Sequence, residues 1–216
     1  MSRSTFKAAI VGVGGGRARG HAEAYAHIER GRLAAISTRR QDKLDDFGDR
    51  YGVSSRYTDY NEMFAREQPD LVHVNTPPDV RLEVFEAAAA AGVPSLIVEK
   101  PLAIDGADYR AIRAYAEQSP VKIAINHQLH FHPRRQMLQD AVAAGRIGEV
   151  RFIEASCGMN MAYQGTHALQ AIAAFHPQGV PSFTLGQIAG GEGLADTPRK
   201  HFAPDGCEAL IGYNDG

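Results

Sequence analysis

The stretch that decides the fold is KAAIVGVGGGRARGH, residues 7–21. An apolar run of strand length, Lys7–Gly12, leads directly into a run of glycines, and a helical pattern follows them. Glycines at such a junction let the backbone turn tightly and let its N–H groups approach a pyrophosphate at the positive end of the helix dipole. Strand, loop and helix in this order predict the phosphate-binding turn of a βαβ unit. The predicted loop residues are Gly12, Gly14, Gly15 and Gly16.

One position of this loop departs from the usual dinucleotide-binding spacing. Counted from Gly12, the third glycine position holds Arg17. Two interpretations remain open. Either Gly16 or Gly20 makes the close contact between helix and strand, or the Arg17 guanidinium itself contacts phosphate.

Beyond this stretch, short β-type runs alternate with longer helical runs as far as Ile125, which predicts parallel strands joined by right-handed crossovers. The predicted strands are Lys7–Gly12, Arg32–Ser37, Ser55–Tyr57, Leu71–Asn75, Ser95–Glu99 and Lys122–Ile125. A helix is predicted over Val80–Ala91, since Asp79 is placed to cap its N-terminus and Gly92 to end it. The expected fold class is therefore α/β, a doubly wound Rossmann sheet.

After Ile125 the rhythm of the sequence changes. The predicted elements there are helices at Pro133–Ala144 and Thr166–Phe175 and strands at Glu149–Cys157, Ser182–Ile188 and Cys207–Tyr213. In the last strand Cys207 begins an alternation of apolar residues, so we expect it to pack as a small core residue. Residues 189–206 are rich in glycine, proline and charge, which indicates an excursion between strands. We assign residues 1–121 to the first domain and 122–216 to the second.

Composition excludes several classes of protein. The chain has 216 residues, 44% hydrophobic and 22% charged, with a net charge of -2, so disorder is excluded and neither nucleic acid nor an anionic membrane is favoured as a partner. No apolar run approaches the roughly 20 residues that span a bilayer. The N-terminus lacks the apolar stretch of a signal peptide, which predicts a cytoplasmic protein whose Cys157 and Cys207 are free thiols.

The end of the second predicted strand bears on the choice of dinucleotide. An NAD site usually has Asp or Glu there, about 20 residues after the glycine loop, to bind the ribose hydroxyls. This chain has Ser37, Thr38, Arg39 and Arg40 instead. Hydroxyl and guanidinium donors without a carboxylate favour the 2′-phosphate of NADP over NAD. The alternative is that Arg39 and Arg40 merely begin a solvated helix.

Two further strand ends carry polar residues where ligands of open α/β sheets bind. One end holds Asn75, Thr76 and Pro77, and the other holds Glu99 and Lys100 before a proline. That proline restricts Lys100 to extended geometry and keeps it at the strand end. A lysine so placed can bond a substrate hydroxyl, and partial burial would lower its pKa, although lysines at strand ends are more often simply exposed.

These motifs together resemble the Gfo/Idh/MocA family of NAD(P)-dependent oxidoreductases. The resemblance rests on the glycine loop with His21, Thr76-Pro77, VEKPLA at 98–103, GRIGEV at 145–150 and GTH at 165–167. It implies a Rossmann domain followed by an α+β domain whose mostly antiparallel sheet covers the active site and mediates oligomerisation. It also implies oxidation or reduction of a carbon of a sugar, polyol or related small molecule.

The resemblance also implies roles for single residues. Lys100 corresponds to the substrate-binding lysine, and His167 to the catalytic acid or base. The family pattern has Asp four residues before this His and three residues after it, where this chain has Tyr163 and Gln170. On a helix these positions share one face, so we expect a polar cluster in which Tyr163 assists His167.

Three imidazoles, His127, His130 and His132, follow the sixth predicted strand. No nearby Cys or carboxylate completes a tetrahedral site, so we predict no metal. We expect His127 or His130 to line the substrate pocket, where polar donors hold sugar hydroxyls.

The leading hypothesis is an oxidoreductase that uses NADP, or less favourably NAD, and transfers a hydride between nicotinamide and a carbon of a sugar-like or polyol substrate. The alternatives are a non-catalytic NAD(P)-binding sensor or regulatory protein, and a redox-assisted enzyme that cleaves glycosides. The last residues, 213–216, have the pattern of a strand that enters a hairpin. We therefore expect either an incomplete second domain or a sheet edge that another subunit covers in a homo-oligomer.

Overall fold

The computed structural model describes residues 5–103, 105–158, 161–190 and 206–214. Contacts divide the chain into two compact units, Met1–Asn126 and His127–Gly216. The strand Lys122–Asn126 pairs with Ser95–Glu99 and so belongs to the first unit. The division therefore lies after Asn126, later than the predicted one after residue 121.

The first unit contains a six-stranded parallel sheet. Its strands are β1 (Phe6–Val11), β2 (Gly31–Ser37), β3 (Ser55–Tyr57), β4 (Leu71–Val74), β5 (Ser95–Glu99) and β6 (Lys122–Asn126). The order β3-β2-β1-β4-β5-β6 reverses direction at β1, as in doubly wound folds. The predicted Rossmann sheet is confirmed.

Helices connect these strands. They are α1 (Arg17–Ala24), α2 (Gln41–Tyr51), α3 (Tyr60–Glu67), α4 (Arg81–Ala90) and α5 (Gly106–Gln118). Side chains cap two of them, since Asp59 accepts from the Asn61 N–H and Asp105 from two N–H groups of the first turn of α5. The predicted cap of α4 by Asp79 is wrong, because Pro78–Val80 form a 3-10 turn that places Asp79 inside the turn, before the helix begins.

The core of the first unit lies on both faces of the sheet. In β1, Ala9 and Val11 belong to one apolar cluster and Ile10 to the other, as the period of two along a strand requires. Helices cover both faces, so the central strands consist almost wholly of apolar residues. This arrangement holds the carboxyl ends of β1, β2, β4 and β5 in fixed positions at one edge of the sheet.

The second unit contains two α-helices and one antiparallel pair of strands among its described residues. They are α6 (Pro133–Ala143), α7 (Thr166–Phe175), β7 (Pro181–Ala189) and β8 (Gly206–Tyr213). A π-helical turn, Met161–Gly165, leads into α7. All four elements are confirmed within two residues of their predicted bounds.

Two predictions for this unit are wrong. Residues 149–157 form no strand: none of the described strands pairs with them, and Phe152 is 71% exposed. A strand of alternating pattern forms only where a neighbour satisfies its backbone groups. Cys207 is exposed rather than part of a core, and the large apolar side chains of the two-stranded sheet β7-β8 are exposed with it. Of the predicted excursion, residues 191–205 lie outside the described ranges.

No described helix combines the length and hydropathy that crossing a bilayer requires.

Candidate active site

The glycine loop after β1 is held against the ends of β2 and β4. The Gly12 N–H donates to the Ser37 carbonyl at 2.8 Å. Gly12 has φ +94°, and a Cβ there would lie 2.9 Å from the carbonyl carbon of Asn75. Both the positive φ and the close approach of the two backbones require glycine at this position.

The other side of the loop is open. A Cβ added to Gly15 or Gly16 would meet no described atom within 4 Å. Helix α1 begins directly after Gly16, and no described side chain caps its first N–H groups. Uncapped N–H groups at the positive end of a helix dipole form a site for an anion such as a pyrophosphate.

The structure tests one of the two interpretations of Arg17 at the third glycine position, the one in which Gly16 or Gly20 makes the close contact between helix and strand. A Cβ on Gly20 would also meet no described atom, so neither Gly16 nor Gly20 makes the close helix–strand contact. The fully buried Ala18 packs there instead, in the apolar cluster with Ile10. The contact of Arg17 with phosphate stays a prediction.

The residues after β2 divide into two groups. Ser37 is buried and supports the loop through its carbonyl, whereas Arg39 is exposed. Arg40 is the first residue before α2, and its Nη2 donates to the Gly14 carbonyl at 3.2 Å. The Thr38 hydroxyl lies 3.6 Å from where a Cβ of Gly14 would be. Arg40 therefore does more than begin a solvated helix: with Thr38 it adjoins the glycine loop.

The end of β4 holds polar atoms that the protein leaves unsatisfied. The Asn75 amide and the Thr76 hydroxyl are buried and have no hydrogen-bond partner among the described residues. Buried polar groups in proteins are nearly always paired, so unpaired ones at a sheet edge indicate a ligand. Together with the close approach of Gly12, this observation fits a dinucleotide bound across β1 and β4.

Glu99, the last residue of β5, is buried and accepts hydrogen bonds from two half-buried side chains. His21 Nε2 donates to Glu99 Oε1 at 2.9 Å, and Asn126 Nδ2 donates to the same oxygen at 2.5 Å. Burial raises the pKa of the Glu99 carboxyl, but these hydrogen bonds and the nearby Arg17 charge outweigh burial and lower it overall. Glu99 is therefore held as a carboxylate beside Lys100.

Lys100 itself is buried at the end of β5, with 8% of its surface exposed. Burial, and then the Arg17 charge, lower the pKa of the Lys100 ammonium, and the Glu99 charge opposes them in part. The peptide bond between Lys100 and Pro101 is cis. A lysine with a lowered pKa is better suited than an ordinary lysine to take up a proton in general base catalysis.

Arg81 supports these strand ends and was missed by the sequence analysis. Its guanidinium is 1% exposed, donates twice to the Thr76 carbonyl at 3.2 and 3.3 Å, and also bonds the Pro101 carbonyl. It thus ties the end of β4 to the residue after Lys100. An arginine at the start of a helix is usually exposed, so the sequence did not indicate that the Arg81 guanidinium would be buried.

A second residue that the sequence did not predict contacts His21, the hydrogen-bond partner of Glu99. The ring of His73 in β4 packs against that of His21 at 4.5 Å, and His73 Nε2 bonds the Tyr25 hydroxyl at 2.8 Å. Burial lowers the pKa of His73 to about 3, so this imidazole is neutral. The only sequence signal was a polar residue at a core position of a buried strand.

In the second unit, His167 lies in the first turn of α7 and is 6% exposed. Its ring meets that of His127 edge to face at 5.3 Å. The neighbouring Thr166 hydroxyl is buried without a hydrogen-bond partner among the described residues. Tyr163 belongs to the π-helical turn, and its side chain lies outside what the structure describes. The predicted assistance of Tyr163 to His167 stays a prediction.

The other predicted histidines of this unit have distinct partners. His130 Nδ1 bonds the Gln170 amide at 2.9 Å, and Arg135 donates to the same amide at 3.0 Å. His132 caps α6, its Nδ1 accepting from the Arg134 N–H at 3.2 Å. Within the described ranges, no group of three potential metal ligands comes together.

The sequence of this chain is similar to those of known oxidoreductases. Residues 6–127 match the model of the oxidoreductase family with an NAD-binding Rossmann fold, GFO_IDH_MocA. A D-apiose dehydrogenase of Paraburkholderia graminis is 31% identical over 143 residues, which are 66% of this chain and 38% of the relative. An inositol 2-dehydrogenase of Rhizobium meliloti is 28% identical over 62% of this chain and 39% of the relative. The match thus spans well under half of these relatives.

Solved structures share the fold. An apo scyllo-inositol dehydrogenase from Lactobacillus casei superposes with a TM-score of 0.80 at 21% identity, over 100% of this chain and 67% of that one. Another structure of the enzyme, with NAD(H) and scyllo-inositol bound, gives 0.77 at 20% identity, over 98% of this chain and 67% of that one. Because the family model covers more than half of the sequence, the chain belongs to the Gfo/Idh/MocA oxidoreductase family.

Proposed function

We propose that this chain carries the dinucleotide-binding half and the catalytic lysine of an NAD(P)-dependent oxidoreductase that acts on a hydroxyl carbon of a sugar or polyol. The observation that carries the proposal is Lys100, buried beside the carboxylate of Glu99 at the same sheet edge as the open glycine loop. The named relatives, D-apiose dehydrogenase and inositol 2-dehydrogenase, support this class of substrate.

The residues of the first unit divide the binding of the dinucleotide among them. The loop from Gly12 to Gly16 and the uncapped start of α1 would hold the pyrophosphate. The unsatisfied Asn75 amide and Thr76 hydroxyl would bond the dinucleotide where it crosses the end of β4. When bound, the nicotinamide supplies the hydride acceptor or donor; the protein supplies orientation and charge.

We propose NADP as the preferred dinucleotide. Arg40 and Thr38 both adjoin Gly14 at the end of β2, where a 2′-phosphate would meet a guanidinium and a hydroxyl rather than a carboxylate. Arg39 is exposed in the same segment and is free to turn toward the phosphate or the adenine. NAD remains the alternative, since a dehydrogenase of similar fold carries NAD(H).

Lys100 would manage the proton of the reacting hydroxyl. In the direction of oxidation, the hydroxyl proton would pass to the Lys100 amine, and the hydrogen on the carbon would leave with its electron pair as hydride to the bound nicotinamide, so that a carbonyl would form. Its lowered pKa increases the fraction of neutral amine that can accept the proton. Glu99, fixed by His21 and Asn126, keeps a negative charge beside the ammonium that results.

Predictions about the second unit, the oligomeric state and the cellular location belong to the proposal as well. His167 as a second acid or base, Tyr163 as its helper and His127 or His130 as a substrate contact remain proposals. The burial of His167 and its ring contact with His127 support them. A homo-oligomer through the sheet of the second unit is supported by the exposed apolar side chains of β7 and β8. A cytoplasmic location stays a prediction from the sequence.

Titration of the protein with NADPH and NADH, followed by thermal unfolding, tests the foundation of the proposal. Ligand that binds the native state raises stability by RT ln(1 + [L]/Kd), about 2.7 kcal/mol when ligand is 100 times Kd. We expect a larger shift with NADPH than with NADH. Absence of a shift with either dinucleotide would contradict the proposed function. Equal shifts would contradict only the preference for NADP.

A further inference from the structure

Hydrogen bonds join Arg135, Gln170 and His130 in the second unit. Arg135 Nη1 lies 3.0 Å from Gln170 Oε1. A guanidinium has donors and no acceptor, so the atom of the Gln170 amide that faces it must be the oxygen. Arg135 therefore fixes which way the amide of Gln170 points.

The fixed amide in turn determines the state of His130. With its oxygen facing Arg135, Gln170 presents its NH₂ group to His130 Nδ1 at 2.9 Å. An amide NH₂ only donates, so Nδ1 must be the acceptor and carry no proton. The neutral imidazole then has its proton on Nε2. The opposite amide orientation would set a donor against the donors of Arg135.

The position of the ring is restrained as well. The Phe131 ring meets the His130 ring edge to face at 5.0 Å, and Gln170 lies on α7 while His130 and Arg135 lie at and near the start of α6. His130 Nε2 has no hydrogen-bond partner among the residues that the structure describes. A restrained ring thus offers one N–H donor that the described protein does not use.

We propose that Arg135 and Gln170 are positioning residues that hold His130 in its Nε2–H form, so that it donates a hydrogen bond to an oxygen of the substrate. The part that concerns the substrate rests on the proposed function; the part that concerns the tautomer does not. The amide of Gln170 is required for the Nε2–H tautomer of His130, because a carboxylate at this position would favour the Nδ1–H tautomer instead. A carboxylate accepts from both Arg135 and His130, which moves the proton to Nδ1 and leaves Nε2 as an acceptor.

Nitrogen NMR of the full chain, labelled with ¹⁵N-histidine and measured at a pH where imidazole is neutral, reads the tautomer directly. We expect His130 to show an unprotonated Nδ1 and a protonated Nε2. In Gln170→Glu, which keeps the size of the side chain, the ratio of the two tautomers should shift toward Nδ1–H on the order of tenfold. His130→Gln assigns the resonances by removing them.

His132 serves as the control within the same sample. Its Nδ1 accepts from a backbone N–H, so its proton also lies on Nε2 and should stay there in Gln170→Glu. In Arg135→Met the amide of Gln170 is free to rotate, and the ratio for His130 should fall between wild type and Gln170→Glu. Far-UV circular dichroism confirms that each variant is folded.

An Nδ1–H tautomer in the wild type, or a ratio that Gln170→Glu leaves unchanged in a folded protein, would overturn the positioning role. Neither outcome depends on catalysis, so the proposed function would be untouched. Once a substrate is found, we expect Gln170→Glu to raise KM about tenfold and to change kcat less, since a substrate hydrogen bond is lost. A tautomer that switches while KM stays constant would overturn the donor role toward substrate.

Discussion

The two units differ in where their apolar side chains lie. Among the described residues, every fully buried apolar side chain belongs to the first unit. In the described part of the second unit, the buried side chain is a polar one, His167. The second unit instead exposes large apolar side chains, including Phe183, Leu185 and Leu210 on β7 and β8. The strands β7 and β8 therefore pair without burying their large apolar side chains. Burial of an apolar strand face requires a second layer of structure packed against it.

The largest test of this difference compares two phenylalanines. Phe85 is fully buried against Tyr115, and Phe183 is 51% exposed on β7. Phe85→Ala should lower the free energy of unfolding by about 3–5 kcal/mol, because it removes apolar contacts and leaves a cavity. Phe183→Ala should lower it by about 0.5 kcal/mol or less. Urea unfolding measures both, and equal losses would show that the second unit has a core of comparable tightness.

The sequence predicted the first unit well because its signals are local. The glycine loop, the strand bounds and the position of Lys100 each follow from short stretches in which propensity, apolar pattern and turn residues agree. The roles of the buried Arg81 and His73 and of the half-buried Asn126 were not predictable, because they depend on which strand ends become neighbours. The predicted strand at residues 149–157 and the predicted core position of Cys207 were wrong for the same reason. Each required neighbouring structure that the described part of the chain does not provide.

The catalytic assignment of the first unit gives the next largest effect. Lys100→Ala removes the group that we propose handles the proton, and it should reduce kcat at least about 10²-fold, the lower end of what positioned acid–base catalysis contributes. Lys122→Ala is the matched control, since that lysine is exposed at the start of β6. Steady-state kinetics on a sugar or polyol substrate measures the effect. Near-normal turnover in Lys100→Ala would refute the assignment.

The buried imidazole of the first unit should make stability depend on pH. The folded-state pKa of His73 is lowered to about 3, and an unfolded histidine titrates near ~6.5. The unfolded chain therefore binds the proton first as pH falls, so the stabilising contribution is full above pH ~6.5 and declines toward pH ~3. At pH 5 the loss approaches roughly 2 kcal/mol, at 1.36 kcal/mol per pH unit.

Chemical denaturation at several pH values tests this expectation. His73→Gln, which can still bond Tyr25, should lose less stability on acidification than the wild type. His132→Asn is the matched change in the second unit, because it replaces an exposed capping histidine with another good N-cap residue. The His132→Asn variant should keep the acid sensitivity of the wild type. Identical pH profiles for wild type and His73→Gln would contradict the role given to burial.

The smallest expected effect concerns the dinucleotide and, again, only the first unit. Arg40→Ala removes the guanidinium that donates to the Gly14 carbonyl. It should weaken NADPH binding about tenfold, which is the order of one charge-assisted hydrogen bond at a partly exposed site. NADH lacks the 2′-phosphate, so its affinity should change little and serves as the internal control. Fluorescence titration with both dinucleotides measures the two constants. Equal losses would mean that Arg40 supports the shape of the loop through the Gly14 carbonyl and does not bind the 2′-phosphate, which would contradict its part in the proposed preference for NADP.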